Sequence, residues 1–196
     1  MEVTPSYREA NRARLRESLI RAARDLTVSQ GWDGVRMVDV AAAVGVSRQT
    51  VYNEFHDRAG LAEALAVSEV RRFAQQVRAA LFTHGGDVRA AAYAALLLTL
   101  DEAARNPLVR AILTSGRGGA EELLPYLTTR SEIVLTEAGG VLVEWAGVHL
   151  PDLPAEAIVL AVDSVIRLTV SHIILPLATT AETASSLAEV FVRLLS

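Results

Sequence analysis

Residues 39–61 read DVAAAVGVSRQTVYNEFHDRAGL, and one glycine in that run constrains the fold more than any other residue. Gly45 closes a short apolar segment, Arg36 to Val44, and precedes a second one, Arg48 to Glu54, which Ser47 is placed to cap. A short helix, a glycine turn with positive φ and a second short helix make a helix-turn-helix. Ala41 is small where the two helices cross, and Val40, Val44, Val46 and Val51 supply the inward apolar set. The second helix then presents Ser47, Arg48, Gln49, Thr50 and Asn53. These are side chains of the kind that hydrogen-bond to base edges and phosphates. Spacing alone fits an ordinary corner between two bundle helices equally well.

The surrounding chain reads as all-α. No stretch alternates apolar and polar residues for long, and Ala and Leu dominate. Ser6 and Glu9 form a capping box for a helix to about Ser29, closed by QGWDG. Asp57 caps a long helix to about Phe82, and Asp87 opens another to about Arg105. Short helices are expected at Asn106-Pro107 and over Glu121 to Leu127, on either side of SGRGG. Thr129 and Glu132 form a second capping box before a helix to Ala146, with Gly139-Gly140 as a kink site. An apolar helix runs from Ala155 to Leu175 and stops at Pro176, and Thr179 and Glu182 cap the last one. The expectation is about nine helices in two domains, residues 1–57 and 58–196, which share the helix after Asp57.

Charge and composition narrow the chemistry. There is no cysteine, so a disulfide or thiolate metal site is excluded. The histidines (His56, His84, His149, His172) are scattered without metal-ligand spacing, so neither metal nor cofactor is expected. Every cation is arginine. Up to Gly60, nine arginines face eight acids, a balance of +1; beyond it, ten face fifteen, a balance of −5. The N-terminal third is therefore the more cationic end, although a solvated helix face explains its arginines equally well. Arg36 starts a helix, where a cation opposes the macrodipole unless a phosphate docks there. Arg58 repeats that arrangement, and either residue also fits a surface arginine pointing away. Tyr52 fits a phosphate contact or a half-buried core tyrosine. No run reaches about 18 uncharged apolar residues; Ala155 to Leu175 is interrupted by Glu156, Asp163, Arg167 and His172. A cytoplasmic protein without membrane contact is expected.

Val40-Ala41, Gly45-Val46-Ser47, Thr50-Val51-Tyr52, Phe55, Arg58 and Leu61, preceded by Gly31 and Trp32, carry a specific likeness. In order and spacing this segment resembles the DNA-binding segment of the TetR family of bacterial transcriptional regulators, over about residues 12–65. The resemblance implies an all-α homodimer on palindromic double-stranded operator DNA. Its three-helix domain would contact DNA through Arg36, Ser47, Arg48, Gln49, Thr50, Tyr52, Asn53 and Arg58. The rest would bind an effector and dimerise through the last two helices. Three departures stand out. Val35 cannot cap where the family has Thr or Ser. Glu54 replaces a common His or Tyr and is left out of the contact set. Gly60 replaces a common acid, which should weaken the first turn of the long helix.

The helix from Ala155 to Leu175 is apolar nearly all round, which demands burial on both sides. We expect a subunit interface there, with Val162 and Ile166, joined by Leu187 and Phe191 of the last helix; the alternative is the core helix of a monomer. Asp163 and Arg167 are spaced as an ion pair. Tyr93, Leu97, Leu100, Leu113, Tyr126 and Trp145 could line an apolar cavity, though each alone fits core equally well. The expected function is a ligand-responsive DNA-binding regulator, a repressor released by a small apolar effector. The competing readings are a helical protein-interaction adaptor and an all-α enzyme; no catalytic constellation stands at a credible spacing, so no enzyme is expected.

Overall fold

The computed structural model describes residues 6–106 and 131–196. Eight helices run through these: α1 Tyr7–Gln30, α2 Met37–Val44, α3 Arg48–Phe55, α4 Arg58–Thr83, α5 Val88–Arg105, α6 Ser131–His149, α7 Ala155–Ile174 and α8 Thr180–Leu194. A 3-10 turn, Trp32–Gly34, follows α1, and no strand occurs among the described residues. The short helices expected after Asn106 and near Glu121, the Thr129 cap, Leu113 and Tyr126 lie outside the described residues.

The helices start where local chemistry starts them. Ser6 Oγ accepts the Glu9 N–H at 3.3 Å, and the Glu9 carboxylate accepts the Ser6 N–H at 2.8 Å. Thr179 and Glu182 repeat the box at 3.2 and 3.0 Å. The Ser47, Asp57 and Asp87 side chains accept the N–H groups of Thr50, Gly60 and Ala90 at 3.1, 2.8 and 3.0 Å. Each such cap contributes about 1 kcal/mol. α6 runs through Gly139-Gly140 as one helix. A Cβ on Gly139 would touch Val162 and Ile166 at 3.9 and 4.0 Å, so the glycine sits against α7.

Two cores share one helix. The smaller gathers Leu19, Val40, Val51 and Phe55 with Leu61 and Leu65 from the first turns of α4. The larger gathers Val77 and Leu81 from the far end of α4 with residues of α5, α6, α7 and α8. Between them α4 carries a chain of ion pairs. Arg24 of α1 holds Glu69 at 2.8 Å, Glu69 holds Arg72 at 3.0 Å, and Arg72 holds Glu102 of α5 at 3.0 Å.

α7 corrects one expectation. Its inner stripe is Ile158, Ala161, Val162, Val165, Ile166 and Thr169, spaced as a helix face and buried in the larger core. Val162, Ile166, Leu187 and Phe191, expected at a subunit interface, are all buried in the chain's own core instead. The outer stripe, with Val159, Leu160, Val170 and Ile174, remains exposed. Apolar side chains stand on both stripes, which is why the sequence alone leaves the inward side open. By length and composition α7 is apolar enough to cross a membrane. Its Arg167 Nε donates to Asp163 at 2.8 Å, which places an ion pair in mid-helix.

Candidate nucleic-acid interface

The turn between α2 and α3 is built as its sequence demands. Gly45 has φ 75° and ψ 31°, and its N–H reaches the carbonyls of Ala41 and Ala42. The Val46 N–H returns to Ala41 C=O at 3.0 Å. A left-handed glycine of this kind ends a helix while satisfying its last carbonyls. Val40, Ala41, Val51 and Phe55 are buried beneath the turn, so α3 can present only its other face.

On that face the polar side chains are already ordered among themselves. Ser47 and Thr50 hydroxyls lie 2.8 Å apart, and Gln49 Nε2 donates to Asn53 Oδ1 at 2.9 Å. Arg48 Nη2 donates to the Tyr52 hydroxyl at 3.2 Å, with its guanidinium 5.1 Å from the ring centre. Ser47, Arg48, Gln49 and Asn53 are exposed, while Thr50 and Tyr52 are half-buried. The set offers a cation, amide donors and acceptors, and hydroxyls on one short helix. That inventory suits both bases and phosphates. Arg36 is exposed at the N-cap position of α2, which has no side-chain cap.

Arg58 is placed differently from the expectation. It is half-buried, donating from Nη2 to Trp32 C=O at 2.7 Å and from Nε to Val35 C=O at 3.3 Å, 4.8 Å above the Trp32 ring. Those carbonyls tie it to the segment before α2. Arg58 thus staples the start of α4 to the segment that leads into Arg36.

Glu54 has partners that the sequence reading missed. Its carboxylate meets Arg12 Nε at 2.8 Å and Arg16 Nη1 at 4.0 Å, and its backbone carbonyl accepts from Arg16 Nη1 at 2.9 Å. The Arg16 guanidinium also lies 4.6 Å over the Phe55 ring. Two arginines four apart on α1, against a lone acid at the end of α3, were the available signal.

The corner between α3 and α4 is unusually tight. His56 adopts φ 66° and ψ −51°, and the Asp57 N–H donates to Phe55 C=O at 2.8 Å. This is a γ-turn of the strained hand. A Cβ on Gly60 would stand 2.1 Å from the Phe55 carbonyl oxygen. Gly60, expected to weaken the first turn of α4, also leaves the room this corner needs to close.

The residues expected to line an effector cavity divide. Tyr93 and Leu97 of α5 are half-buried against the larger core, while Leu100 and Trp145 lie within it. Trp145 is fixed by its Nε1–H, which donates to Gly85 C=O at 3.2 Å. No group of three His, Asp or Glu side chains that could hold a metal occurs among the described residues.

Comparison with known proteins matches two family models to the chain. Residues 19–65 match the model described as bacterial regulatory proteins, tetR family, and residues 87–193 match the bacterial tetracyclin repressor C-terminal domain. The chain is 35% identical over 184 residues to the HTH-type transcriptional regulator AlkX of Mycobacterium tuberculosis, covering 93% of this chain and 85% of that protein. The crystal structure of the repressor AlkX from Dietzia sp., implicated in biodegradation of n-alkanes, superposes with a TM-score of 0.73 at 32% identity, over 91% of this chain and 94% of that one. RolR in complex with resorcinol superposes at 0.64 and 20% identity, over 95% of this chain and 90% of that one, which is a likeness of fold.

Proposed function

Because the chain belongs to the TetR family, and is thus a ligand-responsive DNA-binding transcriptional regulator rather than an enzyme, we propose that it represses transcription from a palindromic operator. The observation that carries this reading is the outward face of α3, whose polar side chains stand pre-paired above a buried apolar face. In this reading Arg48, Gln49 and Asn53 meet base edges, while Ser47, Thr50, Tyr52 and Arg36 meet phosphates. Arg58 acts at one remove, by holding the entry to α2. The division between reading and sensing domains falls inside α4, between Leu65 and Val77, where one core gives way to the other. The protein works where its DNA is, in the cytoplasm.

The family acts as dimers and responds to small molecules. For this chain we assign the dimer contact to the outer stripe of α7, where Val159, Leu160, Val170 and Ile174 are exposed. Large apolar side chains left exposed around the Asp163–Arg167 pair mark an interaction site. We assign the effector to the aliphatic class. Support comes from the Ala- and Leu-rich inner face of α5 and from the likeness to a repressor implicated in n-alkane biodegradation. An effector releases the operator only by binding one arrangement of the dimer better than the other.

Purified protein challenged with a pool of random duplexes should enrich a two-fold symmetric sequence. n-Alkanes and fatty acids of increasing chain length should then release it, with resorcinol as the aromatic control. Arg48→Ala with Tyr52→Ala should abolish the enrichment. Unchanged affinity in that variant would overturn the assignment of α3.

A further inference from the structure

Glu54 puts a carboxylate at the end of the helix assigned to DNA, where phosphates would repel it. It is also poorly exposed, at 10% of its side chain, while Arg12 and Arg16 retain 69% and 44%. The arginines belong to α1, one helical turn apart, and both reach across to residue 54. Arg12 engages the carboxylate. Arg16 spans the carboxylate, the backbone carbonyl and the Phe55 ring. Two cations are therefore parked on the flank of α3, next to Asn53, with their strongest partner supplied by the protein itself.

We propose that Glu54 is a specificity-determining residue: it withholds Arg12 and Arg16 from indiscriminate phosphate contact. Phosphate contacts are sequence-blind, and each one adds affinity for any duplex. A regulator must find one site among a great excess of others, so two free arginines beside the reading helix would raise the background more than the signal. This inference rests on the operator-binding reading, but its test does not require the operator.

The probe is a random-sequence 30-base-pair duplex, titrated over a range of salt with the full-length protein. Glu54→Gln should bind it on the order of tenfold more tightly at low salt, with a log–log salt slope steeper by about one to two per protomer. Adding Arg12→Gln and Arg16→Gln to Glu54→Gln should return both quantities to the starting values. An unchanged slope in a folded Glu54→Gln variant would overturn the proposal. Should that variant not fold, Arg12→Gln with Arg16→Gln alone decides. Withheld arginines predict an unchanged slope, whereas a slope shallower by about two would show that they were contacting phosphates throughout. Failure of the wild type to enrich any duplex would count against the operator reading and leave this measurement standing.

Discussion

His56 is the one non-glycine residue with positive φ among the described residues, and its side chain is exposed. Holding a β-carbon in that region costs of order 1 kcal/mol or more. His56→Gly should therefore raise stability by up to about 1 kcal/mol in urea melts, despite the entropy that glycine adds to the unfolded chain. Gly60→Ala should do the reverse. Its methyl would meet the Phe55 carbonyl, and forcing that corner open should cost roughly 1–3 kcal/mol in the same assay. An unchanged midpoint would mean that the corner has room to relax. These two neighbours show what a sequence can and cannot disclose. Gly45 was legible because its demand is local, a turn between two apolar segments. The demand on Gly60 comes from a backbone carbonyl five residues earlier, which only the γ-turn brings close. The bonds of Arg58 were hidden for a related reason: its partners are the carbonyls of Trp32 and Val35, and a carbonyl leaves no mark in the sequence.

Helix starts were the most legible elements, because a cap and the amide it satisfies lie three residues apart. They also carry a pH signature. Glu182 is held below the ordinary glutamate range by the Thr179 hydroxyl, at 2.7 Å, and then by the Thr179 N–H. Glu9 is lowered in the same way by the Ser6 N–H and hydroxyl. A carboxylate whose pKa is depressed by folding stabilises the fold above its unfolded value, about 4.3, and loses that contribution as pH falls through the lower folded value. Melting temperature followed by circular dichroism should stay level from neutral pH to about 5 and fall below about 4. Glu182→Gln should lower the plateau and shrink the acid step, and an identical acid step in the variant would tell against the cap as its source. The facing of α7 was the least legible element feature. Exposed apolar side chains such as Val159 and Leu160 obscure which stripe of α7 packs inward.

At the scale of the whole molecule, the proposed dimer contact gives the two stripes of α7 separate tasks, folding for the inner and assembly for the outer. Val170→Glu places a charge on the exposed stripe and should leave the thermal midpoint within a few degrees of wild type. Sedimentation should then find monomers at micromolar concentration, with DNA affinity falling alongside. Val162→Glu buries an unpaired charge in the larger core and should cost several kcal/mol, enough to threaten folding. If Val170→Glu still sedimented as a dimer, the contact would have to lie elsewhere. Both cores draw on α4, whose 26 residues make a rod of about 39 Å. A tilt of about 5° at its far end moves the near end by about 3 Å. With Phe55 against Gly60 and Arg58 clamped to Trp32, the rod meets the reading helix at a joint without backlash, so none of that travel is lost as play. A sensing core can then be refitted for a new chemical, as a dial is changed on a gearbox, while the gear teeth at this corner stay as they are.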